Sequence, residues 1–380
     1  MTPDEEIDRL IDELAQSAGS PAPGPADDTP LLVWLEDLVK KGGSDLLLVA
    51  GAPASIRIEG QVHPLADETL DGDNVEAAVL PALPTHARQA YRAGGIADAS
   101  YRAPGLGRFR VNLHRERGRA AAAIRALPPR PPRLAELNLP PGVEQLSSLP
   151  RGLVLIGGPT GAGKSTTLAA LVEEINRRDR RHIVTIEDPI EFEHPHRRSV
   201  VEQVEIGTDA PDFPTALRAA LRQAPDVIVV GEMRDTETMQ MALSAAETGH
   251  LVFSTVHTSD VTQSLSRISD SFPVERQNTV RQDLAVAIAA VLVQALLPRK
   301  GGGRRVPAAE LLMAGYGARQ HIRKHQLQHL HQEITISRRL GSFTFEECLA
   351  ELVRRDLVDR EEALSRAPHR DDLEQALGGA

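Results

Sequence analysis

A glycine-rich stretch near the middle of the chain, "GPTGAGKSTT" at residues 158–167, constrains the fold more than any other feature. It fits the pattern G-x-x-x-x-G-K-[ST], and it follows "GLVLIG", an apolar run typical of a buried strand. In such a loop the glycines let backbone N–H groups turn inward around phosphate oxygens, and the helix that follows adds its positive end. The stretch therefore predicts a strand, a phosphate-binding loop and a helix in direct succession.

The loop pattern also assigns chemistry to single residues. Lys164 should reach the outer phosphates of a nucleotide, and the hydroxyl of Ser165 should ligate Mg²⁺. ATP and Mg²⁺ are therefore the predicted cofactors, with Ser165 as the predicted metal ligand. The predicted phosphate-binding residues are Gly158, Pro159, Thr160, Gly161, Ala162, Gly163, Lys164, Ser165 and Thr166.

Short apolar runs alternate with helical segments after residue 149. The predicted strands and helices are, in order, "GLVLIG", a helix from Lys164 to about Arg177, "HIVTIED", "FPTALRAALRQ", "DVIVVGE", "DTETMQMALSAAETG" and "HLVFSTVH". Such alternation is typical of an α/β fold whose mainly parallel sheet is covered on both faces. Nucleotide should then bind at the carboxyl ends of the strands.

Acidic residues follow two of these strands. "DVIVVGEMRD" ends in Glu232, which can orient or deprotonate an attacking water; the alternative is a structural salt bridge to Arg234 or Arg218. "TIEDPIEFEH" supplies Glu187 and, just beyond it, two further acids. A buried acid cluster beside a phosphate site requires a cation. The further acids are Asp188 and Glu191.

Histidines flank a third strand and also recur near the C-terminus. "TGHLVFSTVHT" supplies His250 and His257, each of which is either a sensor of the γ-phosphate or a packed structural group. "HIRKHQLQHLHQ" places three histidines four residues apart, which predicts one helical face. That spacing can hold a metal, but no carboxylate is evident beside it, so we predict a solvated face. The three residues are His321, His325 and His329.

Composition and charge exclude several classes of protein. The single cysteine, Cys348, allows neither a disulfide framework nor a four-cysteine zinc site within one chain, and it fits a reducing cytoplasm. The N-terminus is acidic, so a secretion signal is not expected. Residues 1–29 hold eight acids and one arginine, and the whole chain has a formal charge of −10, so nucleic acid is not a predicted partner. The apolar run 284–297 is too short for a membrane span and predicts a core helix.

The first third of the chain has a different pattern. Residues 3–16 place apolar side chains at helical spacing, and a flexible linker follows. Next come a helix from Leu31 that ends at Gly42 and Gly43, and strands at "DLLLVA", "SIRIEG", "FRVNL" and "AAIRAL". The proline-rich "PPRPPRLAELNLPPG" then predicts a linker between two domains.

The chain resembles the secretion and type IV pilus ATPases, specifically their retraction-type, PilT-like branch. The matching blocks are "GPTGAGKSTTLA", "HIVTIEDPIEFEH", "DVIVVGEMRD" and "AAETGHLVFSTVHT", and the likeness covers roughly residues 30–345. The resemblance implies a RecA-like P-loop ATPase domain, a smaller α+β PAS-like N-terminal domain and a ring of six subunits. The predicted domains are 1–29 (acidic extension and linker), 30–127 (PAS-like), 128–148 (linker), 149–345 (RecA-like ATPase) and 346–380 (C-terminal helices).

The same resemblance implies roles for single residues. Glu232 would be the catalytic carboxylate, and Glu187 would belong to an acidic box. His250 and His257 would form a histidine box. Arginines from the N-terminal domain reach the nucleotide in these ATPases, and the matching positions here are Arg110 and Arg125.

The function that the resemblance implies is a cytoplasmic ATPase motor that retracts type IV pili and so powers twitching motility. Its partners would be other copies of the chain, a platform protein at the inner face of the inner membrane, and other pilus ATPases. The lack of a four-cysteine cluster favours retraction over pilus assembly or type II secretion, which remains an alternative. A second alternative is a regulatory ring that docks on another ATPase, because "GARQHIRK" keeps only Arg319, Ile322 and Arg323 of the retraction signature "AIRNLIRE".

Overall fold

The computed structural model of the chain describes residues 29–303 and 305–378. The described chain divides into two compact units. Unit 1 runs through Arg130 and includes Asp188–Pro195 and Glu205–Pro211, and unit 2 holds the remainder. The predicted helix at residues 3–16 and the linker after it lie outside the described residues.

Unit 1 is a six-stranded antiparallel sheet with three helices, and it contains the helix and the four strands predicted from the sequence. The strand order is β3-β2-β1-β6-β5-β4. Side chains alternate along β5, where Phe109, Val111 and Leu113 are buried and Arg110 is exposed, so one face carries the core. The elements are α1 (Pro30–Lys40), β1 (Asp45–Val49), β2 (Pro53–Ile58), β3 (Gln61–Thr69), α2 (Gly72–Val79), α3 (Thr85–Gly94), β4 (Ile96–Ala103), β5 (Gly107–Glu116) and β6 (Arg119–Ala126).

A buried carboxylate holds the two later segments within unit 1. Glu205, whose side chain is 6% exposed, accepts hydrogen bonds from Arg108 Nη2 at 2.9 Å, Ser100 Oγ at 2.6 Å and the backbone N–H of Ile190 at 3.1 Å. Arg108 also donates to the carbonyl of Ile190 at 2.8 Å. A buried charge is tolerated when it is paired and fully hydrogen-bonded, and this network meets that condition.

Unit 2 is built on a seven-stranded sheet of order β13-β12-β7-β11-β10-β8-β9. The predicted parallel core is confirmed: β12, β7, β11, β10 and β8 pair in parallel, whereas β13 pairs antiparallel with β12. Every residue of β7 and β11 is buried, as expected of strands covered on both faces. The strands are β7 (Gly152–Gly157), β8 (His182–Glu187), β9 (Val200–Glu205), β10 (Val227–Glu232), β11 (Leu251–Val256), β12 (Ile288–Leu297) and β13 (Val306–Met313).

Ten α-helices belong to the described part of unit 2, including those predicted after the phosphate loop. They are α4 (Lys164–Arg178), α5 (Phe213–Ala220), α6 (Thr236–Glu247), α7 (Val261–Asp270), α8 (Val274–Ala287), α9 (Tyr316–Arg323), α10 (Leu330–Ile336), α11 (Phe345–Arg354), α12 (Arg360–Arg366) and α13 (Arg370–Gly378). Aspartate side chains cap α5, α6 and α7, which fixes where each begins. None of the described helices combines the length and apolarity that a membrane crossing needs.

The prediction of a core helix over residues 284–297 is wrong. Helix α8 ends at Ala287, and Ile288–Leu297 form strand β12 between β7 and β13. Most of β12 is buried, so its sequence lacks the alternation of a half-exposed strand. Periodicity alone cannot separate such a strand from a buried helix.

The predicted linker at 128–148 contributes to unit 2 from Pro131 onward. It forms short 3₁₀ turns at Leu134–Leu137 and Pro141–Ser148, and its Leu134, Val143 and Leu146 are buried in the core of unit 2. The apolar residues between the prolines pack against the core of unit 2. The pattern of prolines alone does not predict this packing.

The histidines near the C-terminus do not share one helical face, contrary to the prediction. Helix α9 ends at Arg323, and His325 adopts a left-handed backbone with a φ of 56°. His329 lies in a separate 3₁₀ turn, with its ring 5.2 Å from that of His321. His321 Nε2 lies 3.4 Å from a carboxylate oxygen of Glu333, a neighbour supplied by another helix.

Candidate nucleotide-binding site

The predicted phosphate loop connects β7 to α4 at the carboxyl edge of the sheet. Gly158, Gly161 and Gly163 all have positive φ values, of 150°, 78° and 86°. At Gly158 the requirement is also spatial, because a Cβ atom there would lie 2.5 Å from the backbone oxygen of Gln294. The loop conformation therefore depends on glycine at these positions. Its last glycine precedes the first helical residue, Lys164, so the positive end of α4 faces the loop.

Lys164 places a cation inside the curve of this loop. The residue is 7% exposed, and its Nζ donates to the carbonyl oxygens of Gly158 at 2.8 Å and Pro159 at 3.1 Å. Ser165 follows as the second residue of α4. An ammonium group, a helix N-terminus and a glycine-rich backbone together bind phosphate oxygens.

Glu232 and His257 lie beside this cation. Glu232 is the last residue of β10, and His257 comes directly after β11, the parallel strand between β10 and β7. His257 Nδ1 is 3.4 Å from Lys164 Nζ, and His257 Nε2 is 3.8 Å from a carboxylate oxygen of Glu232. The structure thus brings together three of the predicted site residues from three different elements.

The charge of His257 follows from these neighbours. Partial burial and the charge of Lys164 lower the pKa of His257 below its usual value of about 6.5, although Glu232 acts in the opposite direction. The imidazole is therefore neutral at pH 7. A neutral imidazole beside a phosphate site can donate one hydrogen bond without placing a second positive charge next to Lys164.

The salt bridge considered as the alternative role for Glu232 is also present. Arg234 Nη2 lies 2.5 Å from Glu232 Oε1, whereas Arg218 pairs with Glu237 instead. The Arg234 side chain is 73% exposed and that of Glu232 is 15% exposed. A pair with one solvated partner contributes little to stability, so it leaves a chemical role for Glu232 open.

The acids after β8 separate into two groups. Glu187, the last residue of β8, accepts hydrogen bonds from Thr185 Oγ1 at 2.7 Å and from Gln203 Nε2 at 3.3 Å. Strand β8 pairs with β10, so Glu187 ends its strand beside the one that carries Glu232. Asp188 and Glu191 belong to unit 1, whereas Glu187 belongs to unit 2.

Within the chain, His250 does not join His257 at the phosphate loop. His250 precedes the first residue of β11 and His257 follows the last, so strand β11 separates them by about 20 Å. The Nδ1 atom of His250 lies 2.9 Å from the carbonyl of Ala245, and its own carbonyl accepts from Gly152 N–H. These contacts are those of a packed structural group, which was the alternative left open.

The two predicted arginines are neighbours in unit 1. Arg110 on β5 and Arg125 on β6 are directly opposed in the sheet register. Arg125 Nε lies 2.8 Å from Asp45, and Arg110 Nη2 lies 3.8 Å from Asp98. Both guanidinium groups project from the face opposite to the core and are about half exposed or more. Their role toward a nucleotide stays a prediction.

Gln294 is a site residue that sequence reasoning missed. It lies on β12, is 2% exposed, and spans the loop and the helix after it: its Nε2 donates to the carbonyl of Ala162 at 2.6 Å, and its Oε1 accepts from Thr167 Oγ1 at 2.8 Å. The sequence indicates this role only by placing a polar residue inside the otherwise apolar run 284–297. A buried amide of this kind is retained when it is fully hydrogen-bonded.

Replacing Gln294 with leucine should loosen the phosphate loop. The change leaves the Ala162 carbonyl and the Thr167 hydroxyl buried without this partner, which should lower the free energy of unfolding by about 2 to 5 kcal/mol and weaken ATP binding. Urea unfolding and nucleotide titration measure the two effects. Thr167→Val combined with Gln294→Leu should cost less than the sum of the single changes; strict additivity would contradict the bridge.

A buried carboxyl anchors the segment that follows His257. Glu310 on β13 accepts a hydrogen bond from the N–H of Val261, the first residue of α7, at 2.8 Å. Burial raises the pKa of Glu310 to about 7, with Asp260 and Glu346 adding to the rise, while that hydrogen bond and His369 oppose it. The folded state therefore favours the protonated acid.

Stability should fall as pH rises through this range, and Glu310→Gln should remove the effect. The folded-state pKa lies above the unfolded value of about 4.5, so the contribution of Glu310 is fully present below pH 4.5 and is lost as pH rises through 7. The variant should therefore gain up to about 3 kcal/mol over the native chain between pH 5 and pH 8. Urea midpoints at both pH values, without divalent ions, measure this; a gain equal to that of the exposed control Glu68→Gln would contradict it.

The fold and the site together define a class of protein. A parallel sheet places a strand, a phosphate loop and a helix beside an acid that ends a neighbouring strand, and this arrangement is that of a P-loop ATPase. Comparison with known proteins gives the family. The family described as "Type II/IV secretion system protein" matches residues 123–359, and the chain belongs to it.

Individual relatives match over most of their length. The type IV pilus retractation ATPase PilT of Pseudomonas aeruginosa is 40% identical over 90% of this chain and 98% of its own. The type IV pilus ATPase PilU of the same organism is 37% identical over 88% of each chain. The crystal structure of the pilus retraction motor PilT with bound ADP covers 92% of this chain and 100% of its own, with a TM-score of 0.84 and 40% identity. The α/β fold with a RecA-like ATPase domain and the assignment as a nucleotide-binding ATPase are therefore confirmed.

Proposed function

We propose that this chain is the ATPase motor that powers retraction of type IV pili, and hence twitching motility. The observation that carries the proposal is the 40% identity to a retraction ATPase across 98% of that protein's length. The site supports it, because Lys164, His257 and Glu232 meet at one edge of the sheet. The alternatives, an assembly ATPase and a regulatory ring, share this site and differ in the work that hydrolysis performs.

The residues have distinct proposed roles in hydrolysis. The phosphate loop from Gly158 to Thr166 and the ammonium of Lys164 hold the phosphates. Glu232 orients the attacking water and accepts its proton. His257 donates a hydrogen bond to the γ-phosphate as charge develops.

Oxygen donors at this edge suit Mg²⁺. The Ser165 hydroxyl is the proposed ligand, and the carboxylate of Glu187 ends the strand next to that of Glu232, so the donors are of the hard oxygen type that Mg²⁺ prefers. When bound, Mg²⁺ neutralises charge on the phosphate oxygens. Mg²⁺ is therefore proposed alongside ATP.

Further proposals come from the family resemblance. Arg110 and Arg125 are proposed to place positive charge beside the nucleotide. His250 is proposed to belong, with His257, to the histidine box. The chain is proposed to form a ring of six copies in the cytoplasm and to act on a platform protein at the inner membrane. The domain boundaries at 30–127, 128–148, 149–345 and 346–380, and the PAS-like nature of the first domain, remain proposals.

Piliation of a strain that lacks the gene tests retraction against assembly. A retraction motor removes pilin from the fibre, so its loss should leave cells with abundant pili and without twitching. Electron microscopy counts the pili, and plate assays score the twitching. Complementation with the native chain should lower the number of pili to the wild-type level and restore twitching. Cells without pili would contradict the proposal and identify an assembly motor.

A further inference from the structure

Two histidines and an aspartate converge near the C-terminal end of unit 2, in a part of the chain to which the proposed hydrolysis assigns nothing. His331 lies on α10, His369 directly precedes α13, and Asp372 lies in the first turn of α13. One potential ligand atom from each residue lies within 4.8 Å of the other two. His331 and His369 are distinct from the three histidines spaced four residues apart. The fold brings them together although they are far apart in the sequence.

The separation of His331 and Asp372 suits metal ligands better than a hydrogen-bonded pair. His331 Nε2 and Asp372 Oδ2 are 3.5 Å apart, which is longer than an ordinary N–H···O bond. Two ligands of a tetrahedral zinc ion with bonds of about 2.0 to 2.1 Å are about 3.3 Å apart. The rings of His331 and His369 have centroids 4.2 Å apart, so small side-chain rotations can aim both at one ion.

Glu346 orients His369 from behind. Its side chain is 3% exposed, and one carboxylate oxygen lies 3.0 Å from the backbone N–H of His369 and 3.2 Å from the ring Nδ1. A carboxylate accepts hydrogen bonds, so it favours the proton on Nδ1 and leaves the lone pair on Nε2. Histidine ligands of metals are held in this way by a second carboxylate.

The surroundings attract a cation and allow it to enter. A cavity of 760 Å³ beside the cluster is lined by the carboxyl groups of Asp260 and Glu346. Arg366 also lines the cavity, but it is paired with Glu362 at 2.9 Å. The side chains of the three candidate ligands are between 34% and 55% exposed, so solvent ions reach them.

We propose that His331, His369 and Asp372 bind a divalent transition metal of the Zn²⁺ type, which fastens α13 to α10. Two of the three donors are imidazole nitrogens, which Zn²⁺ accepts readily and Mg²⁺ does not prefer. A water molecule would complete a tetrahedral set. The site is separate in chemistry and in residues from the magnesium ion proposed at Ser165.

Calorimetric titration of the untagged, full-length chain with ZnCl₂ tests the proposal. One equivalent of Zn²⁺ should bind, and His331→Ala or His369→Ala should each weaken the affinity by more than about 100-fold, whereas Glu346→Gln should weaken it about 10- to 100-fold. His63→Ala, which changes an exposed histidine on β3, should have no effect. Because binding is read as heat, the result does not depend on ATP turnover or on pilus function.

Co²⁺ absorption gives a second readout, because a tetrahedral site with nitrogen ligands produces visible bands that the His331→Ala variant should lack. Asp372→Asn, which keeps the shape of its side chain, serves if an alanine variant fails to fold by circular dichroism. No Zn²⁺ binding tighter than about 1 mM would overturn the proposal. So would binding that survives the combined loss of both histidines, for example at His321 and His329.

Discussion

Replacing Glu232 with glutamine should reduce kcat for ATP hydrolysis by about 10²- to 10⁴-fold while ATP still binds. The amide keeps the size of the side chain but cannot accept a proton from water. The phosphate loop and Lys164 are unchanged, so affinity for nucleotide should stay within a few-fold of the native value. Steady-state phosphate release and fluorescent-nucleotide titration measure the two quantities.

Stability separates the chemical role of Glu232 from a purely structural one. The pair with Arg234 is largely solvated, so the glutamine variant should lose less than about 1 kcal/mol of unfolding free energy. Glu237→Gln is a matched control, because Glu237 also pairs with an arginine, Arg218, but its side chain is 58% exposed on α6. Undiminished turnover in Glu232→Gln, or an equal loss in Glu237→Gln, would refute the catalytic assignment.

Replacing Lys164 with alanine should abolish ATP turnover and weaken ATP binding by at least about 100-fold. A charge-assisted contact to phosphate is worth several kcal/mol when it is screened from water, and Lys164 is the buried cation of the loop. Its Nζ donates to two loop carbonyls in the structure, and we expect it to exchange these contacts for phosphate oxygens when ATP binds.

Two further variants make the Lys164 test specific. Lys164→Met keeps the aliphatic part of the side chain and removes the charge, so it should lose binding as fully as alanine does. Lys300→Ala removes an exposed lysine paired with Asp356 and should leave binding and turnover unchanged. Native-like ATP affinity in Lys164→Met would contradict the placement of the phosphates in this loop.

The parts of the site that lie close together in sequence were predictable. The phosphate loop, the strand before it and the helix after it form one continuous segment, so the motif fixes their geometry. Glu232 was predictable because parallel strands place their carboxyl ends at one edge of a sheet. His250 and His257 lie before and after the same strand, so their placement at opposite edges of the sheet was also predictable from the sequence.

Other features depend on pairing between distant residues. Gln294 reaches the loop only because β12 lies beside β7, and the run that contains it reads equally well as a buried helix. The left-handed backbone of His325 interrupts the expected helix, and no glycine at that position indicates the interruption in the sequence. His331 and His369 meet through the packing of helices that no local pattern relates.

Time-lapse imaging of labelled pili, in cells that lack the gene and carry either the native chain or Glu232→Gln, tests the central claim most directly. If hydrolysis by this chain drives retraction, pili should extend and shorten in cells with the native protein. In cells with an equal amount of the variant, pili should extend and stay extended. Retraction restored by Glu232→Gln would contradict the claim and would point to a ring whose own hydrolysis is dispensable.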